Sequence, residues 1–176
     1  MNEADLNGRL DRYVAFWGEK GLHRYPICEL RQFGLPDHAT RFLVDLGLPK
    51  TTSGPFRAAT DLELLTDLRS DGRFLVIAQD CSTPVCSDAG NDGEVVELDE
   101  YGTEIKYVMG SDVVRFALLL TEYEQSLRKG VGLSNEQQLL LTESMERAMR
   151  AIDSAAMDDP KGGWPVLIGD IRQSLM

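Results

Sequence analysis

Along the first part of the chain apolar residues recur at helical spacing, with Leu6, Leu10, Val14 and Trp17 set among charged neighbours. That period puts one apolar stripe on a helix, and the glycines from Gly18 to Gly21 end it, so residues 1–21 predict an amphipathic helix covering a sheet. A second, shorter helix is signalled by Asp37 as N-cap, by Ala39, Phe42, Leu43 and Leu46 on one face, and by Gly47 as the stop. Pro36 and Pro49 bracket it.

The pattern then changes period. Phe56 to Ala59 reads as an edge strand, whereas the run Asp61 to Leu68 fits a helical turn or a strand and stays open. Phe74 to Ala78 is apolar at every position, as a strand is when both faces of its sheet are covered, and this places the sheet centre there. Ala89-Gly90-Asn91-Asp92-Gly93 is turn chemistry, Gly93 to Asp99 reads as the next strand, and Tyr101-Gly102 turns the chain into Glu104 to Met109. An antiparallel meander follows from these turns. Val95 and Val96 cannot both point inward on a regular strand, so a bulge or a two-sided strand is expected.

Helical spacing returns with Val113, Phe116, Leu120, Tyr123 and Leu127, preceded by Ser111 as a cap. Val114, Ala117, Leu118 and Leu119 make that helix apolar almost all round, which predicts deep burial. Ser134 and Gln137 stand in capping-box register before a stripe of Leu141, Met145, Ala148, Ile152 and Ala156, ended by Pro160 and Gly162-Gly163. Trp164, Leu167, Ile168, Ile171 and Leu175 predict a docked closing helix. The expected architecture is α+β, an antiparallel meander with helices around it, in one domain spanning 1–176 with residues 134–176 as a helical extension packed on the core.

Charge adds the most informative feature. The net charge is −11, and Asp80, Asp88, Asp92, Glu94, Glu97, Asp99, Glu100 and Glu104 lie between Phe74 and Ile105 without one Lys or Arg. Proteins that grip phosphate backbones do so through clustered cations, so nucleic acid and anionic lipid are disfavoured as direct ligands. Carboxylates fixed on a sheet and its turns point instead to a basic protein partner, because docking a cationic surface relieves their repulsion. A solvated sheet face is the competing explanation for any single acid.

Other observations narrow the setting. Met1-Asn2-Glu3-Ala4-Asp5 is acidic where a secretory signal carries cations, and no apolar run reaches the about eighteen residues of a membrane span. Cys28, Cys81 and Cys86 are too few and too odd in number for a disulfide framework, which agrees with a reducing, cytoplasmic setting.

Reactive constellations are missing. Only His23 and His38 offer an imidazole base, no serine sits in a nucleophile-elbow sequence, and Gly130-Val131-Gly132 lies between helices rather than after a strand. Cys81 and Cys86 lack a second ligand pair for structural zinc, so no metal and no cofactor is expected. Glu94, Glu97 and Asp99 could be imagined as a glycosidase pair, but no facing carboxylate across a cleft can be identified.

The series Leu35-Pro36, Phe42-Leu43, Gly47-Leu48-Pro49, Leu75 to Asp80, Val85-Cys86, Gly93-Glu94-Val95, Leu98-Asp99, Ser111 with Val114, Phe116, Leu119-Leu120 and Tyr123, and Trp164 to Leu175 resembles the SUKH superfamily, most closely its fourth branch of bacterial immunity proteins. The resemblance implies an α+β fold and a non-enzymatic protein that binds a secreted toxin domain, often a nuclease or deaminase, and blocks it. Joined to the charge pattern, it makes Asp88, Asp92, Glu94, Glu97, Asp99, Glu100 and Glu104 the candidate residues for binding a cognate, basic toxin. A general adaptor or regulatory scaffold is the alternative, and a hydrolase using Cys81 or the Glu94 to Asp99 carboxylates a third.

Overall fold

The computed structural model describes residues 3–54, 56–66, 73–160 and 162–175. Met1 and Asn2, and Asp67 and Leu68 at the end of the open run, therefore lie outside the described residues. Helix α1 (Glu3–Trp17) is followed by strand β1 (Leu22–His23), the short α2 (Ile27–Leu30), α3 (Asp37–Asp45) and β2 (Leu48–Pro49). Then come β3 (Phe56–Ala58), β4 (Leu64–Leu65), β5 (Phe74–Asp80), β6 (Thr83–Asp88), β7 (Glu94–Leu98) and β8 (Ile105–Gly110). Helices α4 (Val113–Gly130), α5 (Asn135–Ile152), α6 (Ser154–Asp158) and α7 (Gly163–Ser174) close the chain.

The main sheet is antiparallel in the order β3-β5-β6-β7-β8, with β4 also paired to β5. Both of its faces are apolar. Leu75, Ile77, Val85, Val95 and Met109 join the large core shared with the helices, while Phe74, Val76, Cys86, Val96 and Leu98 form a second cluster with Ala59. This explains why β5 reads as a continuous apolar run, although β6, not β5, is the middle strand. Val95 and Val96 take both expected solutions at once: they face opposite clusters, and the register with β8 shifts between them. A further shift lies between Val76 and Ala78, where the Ile77 carbonyl accepts the Tyr25 hydroxyl at 2.8 Å and the Ala59 amide at 3.0 Å.

The α1 helix packs on α4 and α3, where sequence reading placed it over the sheet. Its Trp17 indole N–H donates to Thr121 Oγ1 at 2.9 Å, and its Tyr13 hydroxyl donates to the Gly47 carbonyl at 2.6 Å. Gly47, at φ 79°, stops α3 as expected; an added Cβ would lie 2.0 Å from the His23 carbonyl oxygen, so no other residue fits. Asp37 is not its cap: it is the first helical residue, and Pro36 holds the N-cap position.

Helix α4 is deeply buried from Val113 to Glu124. Its cap is Asp112, whose Oδ1 accepts the Arg115 amide at 2.8 Å, in place of the expected Ser111. Ser111 is held instead by Asp153, to which both its amide and its hydroxyl donate at 2.7 Å. The capping box of Ser134 and Gln137 forms as read. The stripe that follows is broken at Asp153, which ends α5 and accepts the Ala156 amide to start α6. Trp164 opens α7 fully buried against Phe56, Phe116 and Tyr123, and its indole N–H donates to the Met109 carbonyl at 2.7 Å.

Candidate functional site

The acidic stretch builds two hairpin turns at opposite ends of β7. At the β6–β7 end, Asp88 is only 3% exposed, and its Oδ1 accepts the Gly90 amide at 2.9 Å. The amides of Asn91 and Gly93 return to the Asp88 carbonyl, so this residue organises the turn. Asp92 and Gly93 both take positive φ, at 49° and 79°, a pairing that suits Asp and Gly and leaves the Asp92 carboxylate in solvent. Glu94 accepts the Asn91 side-chain amide at 3.0 Å and is half-buried.

At the other end Asp99 staples the β7–β8 turn. Its carboxylate accepts the Thr103 amide at 2.6 Å, the Glu104 amide at 3.0 Å and the Thr103 hydroxyl at 3.0 Å. These bonds, led by the Glu104 amide, hold its carboxyl below the usual carboxylate range. Glu100, Tyr101 and Glu104 are exposed around the turn.

Glu97 behaves differently. It is 5% exposed, pairs in register with Val85 and Tyr107 on the helix-facing side, accepts the Thr83 hydroxyl at 3.3 Å and lies 3.8 Å from Lys106 Nζ. Burial, reinforced by Asp80 and opposed by Lys106 and Thr83, pushes its carboxyl up.

The seven acids therefore do not share one sheet face. Asp92 and Glu94 stand at one end of the five-residue β7, Asp99, Glu100 and Glu104 stand roughly 16 Å away at the other, and Asp88 and Glu97 are turned inward. What replaces the single face is a pair of acidic turns and a groove. The groove, about 410 Å³, runs along β8 between that strand, the β6–β7 turn and the α6–α7 connection, and brings Asp159 to the same rim as Asp92 and Glu94. Asp159 was missed because 65 residues separate it from Glu94, and no local pattern announces such a meeting. Among the described residues strand β8 pairs with β7 alone, which makes its outer side an edge of the sheet.

The residues weighed for reaction chemistry are dispersed. Cys81, at φ 53°, is exposed on the tight β5–β6 turn, whereas Cys86 is buried, with its thiol pushed up to about 12 by burial and by Glu63. Cys28 is exposed. The His23 ring packs edge-on against Tyr25, and burial together with Lys50 lowers its pKa. Among the described residues, no three His, Cys, Asp or Glu side chains are grouped to hold a metal ion, and no helix is long and apolar enough to cross a membrane.

An antiparallel meander with seven helices among the described residues is an α+β arrangement of the SUKH kind. Residues 11–170 match the family model described as SUKH-4 immunity protein, and the chain belongs to that family. Membership supports an immunity function in general, exercised by binding a cognate toxin. No curated protein and no solved structure matches the chain.

Proposed function

We propose that this protein neutralises a cognate bacterial toxin domain, a basic nuclease or deaminase, by stoichiometric occlusion in the cytoplasm and without catalysing a reaction. The observation that carries this reading is the family match across residues 11–170. The charge distribution supports the partner's chemistry, since a toxin that acts on nucleic acid needs a cationic groove, for which fixed carboxylates compete with the polyanionic substrate. In this reading Asp92, Glu94, Glu100 and Glu104 meet the toxin, whereas Asp88, Asp99 and Glu97 hold the hairpins that present them.

The test is co-expression with the protein encoded by the adjacent gene. A one-to-one complex that restores growth, and whose association slows as salt is raised, is the expected result. A neighbour that is not toxic, together with capture of a housekeeping protein, would favour the adaptor reading. A complex insensitive to salt would remove the carboxylates from the interface.

A further inference from the structure

Among the described residues the outer edge of β8 has no strand partner over a short, defined stretch. At its C-terminal end the Met109 carbonyl is already taken by the Trp164 indole at 2.7 Å, so the free edge runs over residues 105–108. That stretch spans roughly 13 Å, enough for a short added strand. It forms one wall of the 410 Å³ groove, whose rim carries Asp92, Glu94 and Asp159. Among the described residues the one cation lining the groove, Lys106, lies 3.8 Å from Glu97 and 4.9 Å from the centre of the Tyr107 ring, so its charge is shared with a buried carboxylate.

A bare sheet edge offers backbone donors and acceptors in a row, and natural proteins cover or guard such edges because they template strand pairing. Here the edge borders a groove whose rim carries Asp92, Glu94 and Asp159. We propose that β8 receives an extended, lysine- or arginine-bearing segment of the toxin as an additional strand, main-chain hydrogen bonds holding it to 105–108 and Asp92, Glu94 and Asp159 selecting its charge. This deepens the toxin-binding reading and rests on it for the choice of partner. The backbone ladder supplies affinity whatever the side chains, and the three carboxylates reject an acidic segment, which is the division of labour expected of strand addition.

The test measures hydrogen exchange in the whole protein with a short peptide of alternating lysine and threonine. Amides in 105–108 that face the groove should slow by about tenfold or more. The same peptide with N-methylated backbone amides keeps the charge and cannot pair, and should give no protection; nor should a peptide of alternating glutamate and threonine. The variant D92N/E94Q/D159N should lose most of the protection.

Equal protection by the N-methylated peptide would overturn strand pairing, and equal protection by the acidic peptide would overturn the charge selection. The proposal and the reading beneath it fail separately. If the toxin binds tightly while exchange in 105–108 is unchanged in that complex, edge pairing is wrong and neutralisation stands. If the adjacent gene's product does not bind at all, the choice of a toxin as partner is wrong.

Discussion

Glu124 and Asp153 of the helical layer and Asp92, Glu100 and Glu104 of the hairpins have equal formal charge and opposite surroundings. Glu124 is fully buried on α4, where it accepts the Ser53 amide at 2.9 Å, the Ser53 hydroxyl and the Arg128 guanidinium at 2.7 Å, pinning the loop before β3. Asp153 does the same for Ser111 and for the start of α6. Asp92, Glu100 and Glu104 face water on the turns. A carboxylate whose bonds are spent on backbone amides holds the fold, whereas one facing solvent is available to a partner, and net charge alone does not tell them apart.

This contrast breaks if the two sets respond alike to substitution. The largest effect is expected for Glu124→Ala, which removes the buried acceptor shared by the Ser53 amide, the Ser53 hydroxyl and the Arg128 guanidinium and should cost about 3 kcal/mol in urea denaturation. Asp153→Ala removes a helix cap and both Ser111 bonds, and should cost about 2 kcal/mol by the same measurement. The triple substitution D92N/E100K/E104K, which keeps a residue suited to positive φ at position 92, should change stability by less than about 0.5 kcal/mol per site. It should nevertheless slow association with the toxin about tenfold at low salt, an effect that fades at high salt. Stopped-flow rates that match the unaltered protein would remove these turns from the interface.

The smallest effects separate Glu97 from Asp99, two residues along the same strand and its turn. Burial raises the Glu97 pKa, so the folded protein holds that proton more tightly than the unfolded chain, and stability falls as pH rises from the ordinary glutamate range through the raised value. Glu97→Gln should therefore stabilise above that window and do nothing below it. Asp99 has the opposite sign: its lowered pKa contributes stability that is present above the ordinary aspartate range and is lost as pH falls through the folded value. Asp99→Asn should weaken the protein at neutral pH and match it in acid, as chemical denaturation across pH would show.

Much of the fold was legible where the signal is local. The turns at Asn91-Asp92-Gly93 and Tyr101-Gly102, the Gly47 stop and the Ser134–Gln137 capping box each depend on residues a few positions apart, and all lie where the pattern put them. The misreadings share one cause. Ser111 looked like a cap because serine suits that role, but Asp153, 42 residues away, claims its hydroxyl and amide. The stripe from Leu141 to Ala156 looked continuous because Asp153 breaks the helix without a Gly or Pro. The acidic stretch was legible as charge, whereas its division between two turns and an interior was not.

From the order of residues alone came the α+β class, the two-sided meander and a lysine-free acidic segment, because periodicity and turn chemistry act over a few positions and charge is additive. Folding alone decided which carboxylates are buried, which of them meet amides, and how Asp159 comes to stand with Asp92 and Glu94 beside an open strand edge. Those outcomes depend on the packing of α6 and α7 against β8, and on burial that raises one carboxyl while backbone amides lower its neighbour. Contacts between distant segments have no signature in either segment alone.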